Sequence, residues 1–327
     1  MEIQIEQAIL HVLDTNIDMP VLSDVLLELS EDVKNFIVTR IDKFLSGDDY
    51  KCCSFEQNSE FSRLIQSGSD DFVAVTQQLA RRLFDIMKRN PDILSADVMF
   101  AFAVIDGNAY LFLDKMNYRE TYIHHFENTD GLKNNSIIRQ RTVLPSPKSK
   151  IDEAALVNLE DGSIKLIERK FEIDGSKDFY LSACYLQCSN SISAKQKLAV
   201  ITDTVKSINQ KYYENDKDVQ NHVASVLYNE VSENKETTIE DLCDNFYGDS
   251  ASVKQEFIQE LKTKNVDVRD TLKVSPGIVR KLEKQSIKTS SGIEIKIPIE
   301  LYENEDSVEF INNPDGTISI LVKNIML

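Results

Sequence analysis

Two apolar runs separated by a polar dipeptide dominate residues 97–114, DVMFAFAVIDGNAYLFLD. Asp106-Gly107 suits a two-residue type I′ turn, whose central positions both take positive φ. The run before it, residues 98–105, is apolar almost throughout. That predicts a strand covered on both faces, inside a sheet rather than at its edge. Asp161-Gly162 and Asp315-Gly316 stand in similar settings, AALVNLEDGSIKLIERK and VEFINNPDGTISILVK. The pattern predicts hairpins that build a sheet, with helices between them.

Elsewhere the apolar spacing changes. Residues 3–13 alternate loosely and predict a first strand, with His11 among apolar neighbours as a hydrogen-bonded structural side chain. A turn follows over 14–20. Val33, Phe36, Ile37, Ile41, Phe44 and Leu45 recur at helical spacing, which predicts a helix over 31–45 with Ser30 as N-cap and Gly47 as its stop. A long helical pattern covers 60–89, with Phe72, Val75, Leu79, Leu83, Ile86 and Met87 on one side. Arg81, Arg82, Lys88 and Arg89 lie on the other, where cations complement the helix dipole; phosphate binding is their second reading. Asn90-Pro91 ends that helix.

Residues 118–126 predict another strand, on which His124 and His125 point to opposite faces and so do not share a metal. Residues 153–171 predict a second hairpin. Helices dominate 177–262, including one with Thr238 as N-cap, and Cys184 and Cys188 lie four apart on an apolar helix. GIEIKIPIEL and the Asp315-Gly316 pair predict closing strands. The expected fold is α+β: a hairpin-built antiparallel sheet with flanking helices, then a helical region and a small C-terminal sheet. Two parts are expected, 1–174 and 175–327.

Composition narrows the class. With 42% hydrophobic and 28% charged residues the chain reads as a soluble globular protein. No apolar run reaches the ~18 residues that a membrane span needs. The opening MEIQIEQAIL has acidic residues where a signal peptide carries positive ones, so a cytoplasmic location is expected. Five cysteines without a C-x-x-C pair read as reduced, packed thiols, and neither a metal nor a cofactor is expected.

The net charge of −17 works against a protein that coats DNA with its whole surface. Nucleic-acid contact then requires a local basic surface or a partner. Residues 131–150, GLKNNSIIRQRTVLPSPKSK, supply Lys133, Arg139, Arg141, Lys148 and Lys150, with no acidic residue between Asp130 and Asp152. Pro145 and Pro147 make the end of this stretch extended, so it reads as a solvated connector or as a phosphate-contacting loop. A second basic stretch, 269–288, holds Arg269, Lys273, Arg280, Lys281, Lys284 and Lys288.

Catalytic signatures are sparse. There is no Gly-rich phosphate loop, G-x-S-x-G elbow or His-Glu-x-x-His motif. Glu168-Arg169-Lys170 has the Glu-x-Lys spacing that metal-dependent nucleases of the PD-(D/E)xK type place on one strand face, with Asp152 or Asp161 as the further acid. The same spacing is an ordinary surface pattern on a half-exposed strand.

Read end to end, the chain resembles the bacterial 37-kilodalton nucleoid-associated protein family (NdpA/YejK type). The residues that carry the resemblance are IEQAILHVLD with VLSDVLLEL, DDFVAVTQQLARRLFDIM, and YLFLDKMNYRETYIHH. LPSPKSKIDEAALVNL, KLIERK, FYLSACYLQCSNSISAKQKL, GIEIKIP and DGTISILVKN complete it in the family's order. The resemblance implies association with the bacterial nucleoid and, in some members, interaction with type II topoisomerases. It transfers no catalytic residue.

The leading expectation is therefore a non-enzymatic protein that contacts DNA without sequence specificity. The residues expected to do so are Arg139, Arg141, Lys148 and Lys150, with Arg280, Lys281 and Lys284. No recognition-helix or zinc-finger signature is present to read base edges. The rival is an adaptor whose acidic clusters, such as Glu303, Glu305 and Asp306, meet a basic nucleoid enzyme. The nuclease is a third reading.

Overall fold

A computed structural model describes residues 1–324 apart from 68–70, 130–131, 174, 190–191, 214–216, 233–236, 249, 265, 273, 275, 289–291, 303–305 and 315–316. Asp315-Gly316, Lys273, Glu303, Glu305 and Gly131 therefore lie outside the described residues, as do the side chains of Lys281 and Lys288. The chain divides into two compact units, residues 1–191 and 192–327. The fold is α+β, with an antiparallel sheet flanked by helices, a helical region and small C-terminal sheets.

In the first unit the elements are β1 (Ile3–Leu13), α1 (Glu31–Leu45), β2 (Lys51–Ser54), α2 (Glu60–Ser67), α3 (Phe72–Arg89), β3 (Ala96–Ile105) and β4 (Asn108–Asn117). Then come β5 (Thr121–Thr129), β6 (Leu132–Gln140), β7 (Ala154–Asn158), β8 (Ser163–Ile167), β9 (Phe171–Ile173), β10 (Ser176–Asp178) and a π-helix, Leu181–Leu186. Six strands form one sheet in the order β1-β3-β4-β7-β8-β2, every pair antiparallel. The apolar run of β3 is interior, between β1 and β4. Asp106 (φ +46°) and Gly107 (φ +86°) make the two-residue turn that pairs Ile105 with Asn108.

Alternation sorts the sheet's side chains onto two covered faces. Val98, Phe100, Leu111, Leu113, Ala155, Val157, Ile164 and Leu166 join α2, α3 and the π-helix in one core. Met99, Ala101, Ala103, Phe112, Met116, Leu156 and Ile167 join Ile37, Ile41 and Phe44 of α1 in the other. A register shift between Ile5 and Gln7 of β1 lets both Ile5 and Ala8 face α1 despite their odd spacing. Each fully buried Leu, Ile or Phe contributes roughly 1.5–3 kcal/mol to this three-layer packing.

Local chemistry sets the helix ends. Ser30 accepts from the Val33 amide and caps α1, as its sequence predicts. The pattern over 60–89 is two helices rather than one, because Asp71 starts α3 afresh by accepting from the Ala74 amide at 3.0 Å. The segment 181–186 is a π-helix that ends at Gln187 in the left-handed region (φ +53°), so Cys188 lies beyond it, bridged to Phe55.

The second unit comprises α4 (Ala194–Tyr212), α5 (Lys217–Ser232), β11 (Thr237–Thr238), α6 (Ile239–Tyr247), α7 (Ala251–Thr263), β12 (Thr271–Leu272) and α8 (Pro276–Leu282). It ends in β13 (Lys284–Lys288), β14 (Glu294–Pro298), α9 (Ile299–Tyr302), β15 (Val308–Asn312) and β16 (Ile318–Val322). Capping boxes at Ser193/Gln196 and Thr238/Asp241 start α4 and α6. Leu198, Ile201, Ile208, Leu242, Phe257 and Leu261 are among the residues of its own core.

Candidate nucleic-acid interface

The hairpin β5–β6 is a separate two-stranded ribbon that leaves the sheet at the end of β4. Residues 132–140, part of the stretch whose sequence reads as a connector, are thus strand. Cross-strand register pairs Tyr122 with Arg139, His124 with Ile137, Phe126 with Asn135 and Asn128 with Lys133. Glu120 stands at the root and accepts from Nε and Nη2 of Arg139. That hydrogen bond first, and the charges of Arg139 and Arg141 besides, hold the Glu120 carboxyl below its usual range.

The strand end of β4 and the start of β7 flank this root, and further cations collect there. Asp152 lies 3.4 Å from Arg119 and 3.7 Å from Arg169. Lys150 is two residues from Asp152, and Lys148 is four. Both lysines and Arg141 are exposed and form no ion pair among the described residues. Arg119 and Arg169 thus meet at Asp152, Arg139 and Arg141 act on Glu120, and Lys148 and Lys150 adjoin Asp152 in the chain, six cations beside two carboxylates.

The segment carrying Lys148 and Lys150 is tied down. Pro145 and Ile151 are buried, Ser149 N donates to Ser146 O at 2.9 Å, and Arg40 Nη1 donates to Ser149 O at 3.3 Å. Arg40 is itself buried and bidentate on Asp114, at 2.6 and 2.8 Å. On the other face of β4, Lys115 Nζ donates to Glu153 Oε2 at 2.9 Å and to Asn117 Oδ1 at 2.5 Å. Asn117 Nδ2 and the Tyr180 hydroxyl complete the shell around Glu153. Burial pushes the Lys115 ammonium down and Glu153 opposes it. These matched groups pin the root rather than open it to solvent.

The other expected groups fall out differently. Glu168 is internal: its carboxylate takes Lys51 at 2.5 Å and the Ser182 amide and hydroxyl at 2.8 and 2.7 Å. Lys170 lies over the Phe179 ring, and Asp161 belongs to the β7–β8 turn at the far end of β8 from Glu168. The Glu-x-Lys constellation is therefore not assembled around an open carboxylate, and among the described residues no three metal-ligating side chains converge. On α3, Arg82 donates to the Cys184 and Tyr185 carbonyls, and Lys88 to those of Thr15 and Ile17. Their role is tethering. Arg81 and Arg89 stay exposed. In the second unit Arg280 (α8) and Lys284 (β13) are exposed.

A model of the family described as nucleoid-associated protein YejK matches residues 9–326, nearly the whole chain. The chain belongs to that family. By family it is a nucleoid-associated protein, and among the described residues no helix is long and apolar enough to cross a membrane. No curated protein matches it in sequence. In this member of the family, exposed cations gather at the hairpin root of the first unit. Arg119 and Arg169 join it through Asp152, a meeting that separations of 33 and 17 residues conceal from sequence reading.

Proposed function

We propose that this protein binds DNA directly and without sequence specificity, with Arg119, Arg139, Arg141, Lys148, Lys150 and Arg169 contacting phosphates. The observation that carries the reading is the local excess of positive charge on a chain whose net charge is −17. Surface carboxylates elsewhere repel the backbone, so they orient the duplex toward the root. Arg280 and Lys284 of the second unit, both exposed, provide a further contact in the same account.

The net charge favours a second reading, in which the acidic surface meets a basic face of a nucleoid enzyme such as a type II topoisomerase. One pair of measurements separates the two. Direct binding predicts that two unrelated labelled duplexes raise fluorescence anisotropy equally at low salt without magnesium. Absence of binding to either duplex, with co-purification of a nucleoid enzyme that survives nuclease treatment, would replace it with the adaptor.

A further inference from the structure

The ribbon beyond the root has two chemically different faces. Alternation and the cross-strand register place Tyr122, His124, Phe126, Lys133, Ile137 and Arg139 on one of them. Tyr122 is 68% exposed, Phe126 53% and Ile137 79%, a cost in bare apolar surface that an isolated hairpin has no structural need to carry. The opposite face holds Ile123, His125, Glu127, Ser136 and Ile138, with no lysine or arginine and with Glu127 3.4 Å from His125. Cations and aromatic rings therefore share one side, and the strand carboxylate takes the other.

We propose that the Tyr122–Phe126 face is a stacking platform for the unpaired bases of single-stranded DNA. The inference rests on the direct-binding reading and names the form of DNA that its hairpin takes. Aromatic rings offer a sequence-independent surface to any base, and interleaved cations follow the phosphates beside it. Tyr122 and Phe126 lie four residues apart on one strand, about 14 Å, so each ring receives a different base. A closed duplex keeps its bases stacked and denies both rings their partners. The charge pattern also selects this occupant over a second copy of the chain: a face carrying Lys133 and Arg139 repels itself across a two-fold axis and attracts a polyanion.

The chain has no tryptophan, so Phe126→Trp places a single fluorescent reporter on the platform. A short oligothymidylate should quench its emission, whereas an abasic strand of equal length should bind without quenching. The double variant Tyr122→Ala/Phe126→Ala should lose at least about thirtyfold in affinity for oligothymidylate while its affinity for duplex and its salt slope stay unchanged. Binding of oligothymidylate without quenching, or equal loss for strand and duplex, would overturn the platform and leave the phosphate contacts standing. Failure of every DNA to bind would remove both. A wild-type dimer in sedimentation that Tyr122→Ala/Phe126→Ala dissolves would assign the face to self-association instead.

Discussion

Arg139 donates twice to one oxygen of Glu120, from Nε at 3.1 Å and from Nη2, where the β5–β6 ribbon leaves the sheet. This candidate phosphate ligand is thus held by a carboxylate with which a phosphate would compete. Glu120→Gln keeps an acceptor but removes the competing charge. It should tighten duplex binding about two- to threefold at low salt, and steepen the log–log salt slope by at most about 0.9. Weaker binding would mean that Glu120 orders Arg139 for contact instead of withholding it.

The anchor beneath the root is Arg40 on Asp114, both buried. Burial pushes the Asp114 carboxyl up, and its hydrogen bonds and charge contact with Arg40 oppose that. Removing one partner strands the other charge, so Arg40→Ala should cost about 3–5 kcal/mol in urea denaturation. Arg40→Met with Asp114→Leu should recover much of the loss, because it removes both charges and keeps volume. A single variant as stable as wild type would show that the pair does not hold the segment at Ser149.

Acid should weaken the first unit through His11. The imidazole is buried beside Phe100, its Nδ1 accepts from the Ser23 amide at 3.1 Å, and burial lowers its pKa to about 4. The unfolded chain binds the proton near pH 6.5, so stability is complete above that value and falls as pH drops toward 4. The loss at pH 5 should be about 2 kcal/mol. His11→Asn retains an acceptor for Ser23 without titrating, and its stability difference between pH 7 and pH 5 should be smaller by that amount. An equal difference in both proteins would place the acid sensitivity elsewhere.

Much of the sheet is legible in sequence, for identifiable reasons. The turn at Asp106-Gly107, the two-sided burial of β3 and the Ser30 cap are local features that tertiary contacts reinforce. The β6 strand is not legible in the same way. Lys133, Asn134, Asn135 and Ser136 are residues that strands disfavour, and they mask a pairing that depends on β5 opposite them. Asp130-Gly131 repeats the turn signature used elsewhere and is the signal that could have found the ribbon.

The candidate site divides along the same line. Arg139, Arg141, Lys148 and Lys150 stand out as a basic stretch in an acidic chain, whereas Arg119, Tyr122 and Phe126 gain meaning only once the register is known. Glu168 shows the converse. Its spacing to Lys170 suggests a shared open face, but Lys51, more than a hundred residues earlier, neutralises it in the interior.

The most direct test of the account is the salt dependence of duplex binding, wild type against Arg139→Ala/Arg141→Ala/Lys148→Ala/Lys150→Ala. With these side chains on phosphates, the wild-type affinity should fall steeply with salt. The variant's log–log slope should be shallower by about 0.9 for each phosphate it no longer neutralises. An identical slope in the two proteins, with binding retained, would contradict the placement of the DNA backbone at the hairpin root.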